Sequence, residues 1–261
     1  MAALTAILFV LAIGYSAGAD YRTRIIGGEN APDGIAPWQA SLRFMFYQHN
    51  CGASVIDKYW VLTAAHCMDN IYGQNLDYLT IVVGTNTLGN TGDRYTLVKS
   101  IIHENYDRRT YANDICLLKT GTEIKYTAKV QPIPLADRTT EPGASLLLTG
   151  WGIKGTDGEM PNDLQMLNLT AISTESCSQR YEDYYKRRGR PNAITENVLC
   201  ADAGTGKGGC QGDSGGPVVD GNMLAGVVSV GVTPCGQLGV PDVMTRVEKY
   251  RSWISNTMSS N

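Results

Sequence analysis

Ser214 stands in the stretch GGCQGDSGGP, residues 208 to 217, in which five of the ten residues are glycine. A serine hydroxyl is a poor nucleophile by itself. To attack a carbonyl carbon it needs a general base within hydrogen-bond reach, a carboxylate that fixes the tautomer of that base, and donors for the developing oxyanion. The sequence therefore has to supply these partners if Ser214 is to do chemistry.

Three histidines could serve as the base, His49, His66 and His103. His66 lies in LTAAHC, an apolar stretch that we interpret as a strand running into a cysteine, whereas the other two lie in polar or loop-like surroundings. A lone histidine in an apolar stretch is more often a satisfied core residue than a catalytic one. His66 is thus a candidate that depends on the other motifs.

Short strands would have to position these residues. From Trp38 onward, short apolar or alternating segments broken by turn signals predict an antiparallel all-β protein. A Thr- and Pro-rich stretch between 121 and 143 indicates a crossing between two halves. The final segment, VEKYRSWISNTM, predicts a C-terminal amphipathic helix, because its apolar residues recur at helical spacing. The strand segments are QASLRFMF, SVIDKYWVLTA, YLTIVVGT, DICLLK, SLLLTGWG, LQMLNLTAI, GPVVDG and MLAGVVSVG.

Composition excludes several classes of function. The chain has 261 residues, 43% hydrophobic and 18% charged, which is an ordinary globular balance. A net charge of −3 argues against nucleic acid as a partner. An apolar run followed by small residues predicts a secretory signal over 1–19, although no Lys or Arg precedes the run; a buried N-terminal helix is the alternative. The run is too short to span a bilayer, so we expect no membrane partner.

Seven cysteines occur, which in a secreted chain indicates disulfides with one thiol left over. Their spacing alone cannot choose among the pairings of any six. There is no CxxC motif and histidine is scarce, so a zinc site is not expected.

Five motifs occur in one order along the chain: IIGG (25–28), LTAAHC (62–67), NDI (113–115), TGWG (149–152) and GDSGGP (212–217). This ordered set resembles the chymotrypsin family of secreted serine proteases and covers the chain from Ile25 to the C terminus. The resemblance implies an all-β fold of two antiparallel six-stranded β-barrels with a C-terminal α-helix. The expected bounds within a protease domain of 25–261 are about 25–130 and 131–246 for the barrels and 247–258 for the helix.

The resemblance also assigns the catalytic roles. Ser214 would be the nucleophile, His66 the general base and then the acid, and Asp114 the buried carboxylate that orients the imidazole. The backbone N–H groups of Gly212 and Ser214 would form the oxyanion hole, and glycine at 212 suits a donor that must approach the carbonyl closely. In isolation, Asp114 could instead cap the start of a strand. No cofactor is implied.

Arg24 followed by IIGG resembles the activation site of the family, with residues 20–24 as a short pro-segment. A trypsin-like protease would cut after Arg24 and free the ammonium of Ile25, which would turn inward to pair with Asp213. An unpaired buried carboxylate is costly, so this pairing would select the conformation in which the oxyanion hole is assembled. The resemblance therefore implies a zymogen.

The resemblance pairs the cysteines as Cys51 with Cys67, Cys177 with Cys200 and Cys210 with Cys235. Cys116 is left over and is interpreted as a buried small hydrophobe with a free thiol. Three bridges suggest an arthropod-like member. The loop after His66 lacks the paired glutamates of the family's calcium site, so no metal is expected.

Selectivity in this family depends on a pocket that takes the side chain before the cleaved bond. Its floor here would be Gly208, with Gly209 beside it, where trypsin-like members carry an aspartate at the floor. Gly231 would be the wall, and the open uncharged pocket favours Phe, Tyr, Trp, Leu or Met. Asp242, at the second base position, could hold a cation from the side or turn away and stay hydrated.

Three residues, Ser229, Val230 and Gly231, would pair with the substrate backbone as an added strand. The expected function is a secreted, extracellular serine endopeptidase that acts on proteins or peptides with chymotrypsin-like preference and meets protein protease inhibitors as a monomer. A broad-specificity, collagenolytic type that uses Asp242 for basic side chains is the alternative. A non-catalytic homologue used as a binding module is the rival from another class. Digestive, salivary and venom roles stay open.

Two further signals are weak. Asn168 opens a glycosylation sequon within a strand-like run. The segment between Cys177 and Cys200 is longer than usual for the family and contains RYEDYYKRRGR. We interpret residues 178–199 as a solvated surface loop, with an exosite for an acidic partner as the alternative.

Overall fold

The computed structural model of the chain describes residues 27–45, 47–69, 75–89, 91–153, 158–189, 191–231, 235–236 and 239–261. Six antiparallel strands close into a first barrel in the order β2-β3-β4-β7-β6-β5. The pairing of β2 with β5 completes the ring. These strands are β2 (Gln39–Phe44), β3 (Gln48–Val55), β4 (Trp60–Thr63), β5 (Leu79–Val83), β6 (Asp93–Ile102) and β7 (Cys116–Thr120).

A second six-stranded antiparallel ring follows in the chain. Its order is β8-β9-β10-β13-β12-β11, and the pairing of β11 with β8 closes it. The short strand β1 (Glu29–Asn30) adds to the outside of β9. The prediction of two six-stranded β-barrels is thus confirmed. The strands are β8 (Ser145–Gly150), β9 (Gln165–Ile172), β10 (Val198–Asp202), β11 (Pro217–Asp220), β12 (Met223–Val230) and β13 (Asp242–Arg246).

The alternation of the sequence explains how the strands pack. In β9, QMLNLTAI, the apolar residues Leu167, Leu169 and Ala171 are buried while Asn168 and Thr170 are exposed. A period of two places one face of the strand in the barrel core and the other in solvent. Asn168, the sequon residue, therefore lies on the solvent face of a paired strand.

Among the described residues, three α-helices lie outside the barrels: α1 (Ala65–Asp69), α2 (Thr174–Arg187) and α3 (Arg251–Ser259). A 3-10 turn, Val247–Tyr250, leads into α3, so the predicted C-terminal helix is present with its first turn tighter than an α-helix. His66 lies in α1 and not in a strand, because β4 ends at Thr63. None of the helices in the described part of the chain is long and apolar enough to cross a membrane.

Helix α2 corrects the interpretation of residues 178–199 as a surface loop, because the first part of that segment, up to Arg187, is helical. Ser173 caps the helix by accepting a hydrogen bond from the N–H of Ser176. Cys177 and Tyr181, four residues apart, share its buried face. The disulfide from Cys177 to Cys200 then ties the helix to β10.

Candidate active site

His66 and Asp114 lie together at the rim of the first barrel. His66 is in the first turn of α1 and Asp114 precedes β7. The imidazole Nδ1 is 2.7 Å from Asp114 Oδ2, and the backbone N–H of His66 donates to Asp114 Oδ1 at 2.8 Å. The Asp114 side chain is fully buried and that of His66 is 14% exposed. This pair fixes a tautomer with the proton on Nδ1, so Nε2 is the nitrogen that can accept a proton.

The second barrel also holds Asp114. The hydroxyl of Ser229, on β12, donates to Asp114 Oδ2 at 2.5 Å, and Thr245 Oγ1, on β13, donates to the backbone carbonyl of Asp114 at 2.7 Å. Asp114 therefore accepts hydrogen bonds from both halves of the molecule, which fixes its position.

Ser214 lies in the segment between β10 and β11, on the second barrel. Its backbone carbonyl accepts a hydrogen bond from Gly52 N of β3 at 2.8 Å. The next residue, Gly215, has φ +76° and donates to Val228 O at 2.7 Å. Only glycine adopts this conformation readily. The two hydrogen bonds hold the turn at Ser214 between β3 of the first barrel and β12 of the second. Ser214 and His66 line one cleft of about 380 Å³.

Gly212, the predicted oxyanion donor, has φ +97°. A Cβ there would lie 3.2 Å from Gly152 Cα and 3.4 Å from Trp151 O. Both the backbone conformation and the space thus favour glycine. The structure brings Ser214 and His66 to one cleft, and Gly212 lies two residues before Ser214 in the same segment.

Asp213 points away from the cleft and is fully buried. Its Oδ1 accepts from Gly152 N at 2.8 Å and its Oδ2 from Cys210 N at 2.9 Å. Burial raises the pKa of Asp213 to about 6, although these two hydrogen bonds act to lower it. A Cβ at Gly150 or Gly152 would collide with the carboxylate, so both glycines make room for it. Arg24 and Ile25, the other predicted activation residues, lie outside the described residues.

Asp242 lies at the base of the cleft. Its Oδ2 accepts a hydrogen bond from Gly209 N at 2.8 Å. Gly208 packs directly over it, since a Cβ at Gly208 would lie 3.1 Å from Oδ2. Burial, with smaller repulsion from Asp213 and Asp202, raises the pKa of Asp242 to about 7. The bottom of the cleft therefore carries a carboxyl group whose charge changes near neutral pH.

The remaining residues of the predicted pocket lie along one wall. Ser229, Val230 and Gly231 line the cleft at the end of β12, and a Cβ at Gly231 would meet no atom closer than 4.0 Å, the carbonyl of Gly209. This wall is therefore open in the described part of the chain.

The disulfides in the structure join Cys51 to Cys67, Cys177 to Cys200 and Cys210 to Cys235, the pairs that the resemblance implies. Cys116 is a buried free thiol, and burial raises its pKa to about 12, so it stays protonated. Cys51, His66 and Cys67 lie close enough to hold a metal ion, but the two sulfurs are bonded to each other and offer no thiolate.

His49 is placed differently from the sequence interpretation. It is buried in β3 and not in a loop-like segment. Its Nδ1 is 2.8 Å from Ser41 Oγ and its Nε2 is 2.9 Å from the carbonyl of Gly212. Burial lowers the pKa of His49 to about 4, so the ring is neutral at pH 7. The sequence signal for a buried His49 was the alternating pattern of QHNC, which places this histidine on the inward face of a strand.

Sequence reasoning also did not place several other residues in the cleft wall. The Tyr111 ring lies edge-on to that of His66, with centroids 5.6 Å apart. Helix α2 contributes the tyrosines at 184 and 185, and its C-cap, Arg188, also lines the cleft. Arg109, Thr110, Gln211 and Val228 also line the cleft. The helical spacing of the tyrosines in RYEDYYKRRGR was the signal for α2.

Comparison with known proteins agrees with this geometry. Residues 25–254 match the family model described as Trypsin. The chain is similar to Trypsin-3 of Salmo salar, 38% identical over 93% of this chain and 96% of the relative. It is also similar to Chymotrypsin-2 of Vespa crabro, 36% identical over 88% and 98%. The similar proteins thus include one from a wasp and one from a fish, so the arthropod-like origin of this chain stays a prediction.

Among solved structures, the chain resembles neuropsin, a serine protease expressed in the limbic system of mouse brain. The TM-score is 0.78 at 31% identity, covering 88% of this chain and 98% of that one. Family model, relatives and fold agree over most of the length of the protein. The chain belongs to the trypsin family of serine proteases.

Proposed function

We propose that this protein is the zymogen of a secreted serine endopeptidase that uses Ser214, His66 and Asp114. The observation that carries the proposal is the arrangement of His66, held through Nδ1 by a fully buried carboxylate, on a cleft that Ser214 also lines. Three disulfides suit the oxidising compartment of a secreted chain.

In the first half of the reaction, His66 Nε2 takes the proton of Ser214 Oγ as that oxygen attacks the carbonyl carbon of the substrate. The negative charge that develops on the carbonyl oxygen would be met by the N–H groups of Gly212 and Ser214. Losing one such donor costs about 3 kcal/mol of transition-state stabilisation. His66 then returns the proton to the leaving amine, and an acyl-enzyme remains on Ser214.

In the second half, water replaces the amine. His66 accepts a proton from the water, hydroxide attacks the acyl carbon, and Ser214 leaves with the proton returned by His66. Asp114 stays ionised throughout and stabilises the imidazolium. Its hydrogen bonds from Ser229 and from the His66 backbone fit this role, because they favour the charged carboxylate.

Activation would follow cleavage after Arg24 by a trypsin-like protease. The buried carboxylate of Asp213 is the receptor for the new ammonium of Ile25 in this proposal, and its raised pKa reflects the cost of burying a negative charge. Pairing with a cation would offset that cost and hold Gly212 and Ser214 in place. The signal peptide over 1–19, the monomeric state and recognition by protein inhibitors are parts of the same proposal.

Selectivity would be chymotrypsin-like, for a large apolar or aromatic side chain before the cleaved bond. Gly231 leaves volume at the wall, and Gly208 adds no side chain of its own at the base, where it packs over Asp242. The broad-specificity alternative gains support from Asp242, which lies at the base of the cleft and changes charge near neutral pH. A basic side chain could reach this carboxylate.

The test is to express the precursor, activate it with trypsin, remove the trypsin, and compare kcat/KM on peptides with Phe, Leu, Ala or Arg before the cleaved bond. We expect no turnover before activation and a preference for Phe and Leu after it. Ser214→Ala, treated identically, should retain its fold and lose turnover. Activity of that variant would contradict the proposal, absence of activity in the wild type would favour the binding module, and a tenfold preference for Arg would overturn the selectivity.

A further inference from the structure

We propose that Arg109 and Arg188 form a subsite that selects substrates with a carboxylate side chain two to four residues before the cleaved bond. The inference rests on the proposed peptidase function and adds a substrate class to it. Both arginines line the cleft that contains His66 and Ser214, and they come from two separate elements. Asp242, at the base, is the one carboxylate among the described residues of the cleft lining.

Arg188 is fixed at the C terminus of α2. Its backbone N–H bonds to Tyr185 O at 3.0 Å, and its guanidinium lies over the Tyr184 ring, 3.9 Å from the centroid. Arginine stacks on aromatic faces in this way while the N–H groups at its edge stay available to a carboxylate. In the described part of the chain no acidic side chain pairs with Arg188. The guanidinium is therefore oriented before a ligand binds.

The tyrosines beneath Arg188 are anchored to the second barrel. Tyr181 is fully buried and its hydroxyl donates to Pro241 O at 2.8 Å. The ring centroids of Tyr184 and Tyr185 each lie 5.6 Å from that of Tyr181. Contacts of this kind fix aromatic rings, so Arg188 stands on a rigid base.

Arg109 faces the cleft from the first barrel. It lies in a tight loop that Asp107 and Ala112 close with a backbone hydrogen bond of 3.0 Å. Its side chain is 91% exposed, and its Nε is 3.9 Å from Asp107 Oδ1. An exposed pair at this distance contributes little, so a substrate carboxylate can compete for the guanidinium.

The wall of the cleft indicates which residues of the substrate lie near the two arginines. A side chain that enters the pocket above Asp242 places the preceding residues along Ser229 to Gly231, if they pair there as a strand. Val230 packs in the same cluster as Tyr184 and Tyr185. Residues before the cleaved bond therefore approach α2, and at about 3.3 Å per residue they pass the two arginines within a few positions.

A purely local role for the basic residues of α2 is the competing explanation, because cations at a helix C terminus stabilise the helix. Arg187 separates the two explanations. It occupies the same helix end, lies 4.0 Å from Asp183 and is not part of the cleft. Arg187→Gln removes a terminal charge without touching the proposed subsite.

The experiment uses the activated enzyme and peptides with Leu before the cleaved bond and Glu, Gln or Lys at the second, third or fourth position before that bond. We expect kcat/KM for Glu to exceed that for Gln by about threefold at one of these positions, with Lys lowest, and 0.5 M NaCl to reduce the difference. Arg109→Gln and Arg188→Gln should each reduce the Glu to Gln ratio, and the double variant should bring it to about one.

Arg187→Gln is the control and should keep the wild-type ratio, and thermal unfolding should show that all variants fold. Equal rates on the Glu and Gln peptides in the wild type, or a preference that survives in the double variant, would overturn the subsite. Failure to cleave any of the peptides would instead contradict the proposed peptidase function, and the subsite with it.

Discussion

Asp114 is the residue on which most contacts at the site converge, since Oδ2 accepts from both His66 and Ser229. Asp114→Asn would replace an acceptor by a donor and favour the wrong tautomer of His66. We expect kcat to fall by about 10⁴-fold with KM little changed, the loss typical of this change in a Ser-His-Asp triad. Steady-state kinetics on the activated enzyme measure it.

Asp33→Asn is the matched control, because Asp33 is exposed and pairs only with Lys129 among the described residues. It should leave kcat unchanged. An Asp114→Asn enzyme with more than a tenth of wild-type kcat would show that this carboxylate does not orient the base.

Asp242 predicts selectivity that depends on pH. With a pKa raised to about 7, its carboxyl group is mostly neutral at pH 6 and mostly charged at pH 8.5. The ratio of kcat/KM for a peptide with Arg before the cleaved bond to that for Leu should therefore rise by about tenfold over this range. A pH dependence that the two reactions share cancels in the ratio.

The groups around Asp242 support this direction. Asp213 and Asp202 repel its charge, and the N–H of Gly209 is the donor that favours it. In Asp242→Asn the ratio should not vary with pH. A wild-type ratio that stays constant from pH 6 to 8.5 would contradict the prediction.

One buried hydroxyl, that of Tyr181, helps to attach helix α2 to the second barrel beside the disulfide from Cys177 to Cys200. Tyr181→Phe would leave the carbonyl of Pro241 without its donor, at a cost of about 1–2 kcal/mol. We expect the melting temperature to fall by roughly 3–6 °C for a domain of this size. Calorimetry on the Ser214→Ala background, which prevents self-digestion, measures the change.

Tyr184→Phe is the control on the same helix. The Tyr184 ring lies at the cleft and packs through its face, so losing its hydroxyl should shift the melting temperature by about 1 °C at most. Equal shifts for the two variants would show that the Tyr181 hydroxyl does not anchor the helix.

The elements differ in how far the sequence predicts them. Strands such as β9 alternate strictly between buried and exposed residues, and their motifs lie next to clear turn signals. Helix α2 was missed because charged residues surround its few apolar positions, and only the Tyr181, Tyr184 and Tyr185 spacing marks the face that packs. Asp242 and Gly209, 33 residues apart, meet through a hydrogen bond that no local pattern contains.

At the scale of the whole molecule, His49 couples the two barrels, since it lies in β3 and bonds to the carbonyl of Gly212. Its pKa is lowered to about 4, so between pH 6.5 and 4 the unfolded chain takes up a proton that the folded chain does not. Stability is therefore lost as pH falls. We expect about 2 kcal/mol less unfolding free energy at pH 5 than at pH 7 from this group.

Denaturant unfolding of Ser214→Ala at pH 7, 6 and 5 measures this loss, with His49→Gln in the same background as the control. Other groups titrate alike in both proteins, so the difference between their unfolding free energies isolates His49. If the unfolding free energies of the two proteins changed equally with pH, the His49 ring would not be held neutral by burial.

The hydrogen bonds that join Asp114 to Ser229 and Thr245 have a consequence for the life of the chain in the cell. The proposed base and carboxylate belong to the first barrel and the proposed nucleophile to the second, so a copy with only one barrel formed would have no complete triad. A chain emerging during synthesis, or a fragment cut between 121 and 144, would thus be harmless to its neighbours. Distributing the proposed triad over two halves would guard against premature proteolysis independently of the proposed pro-segment.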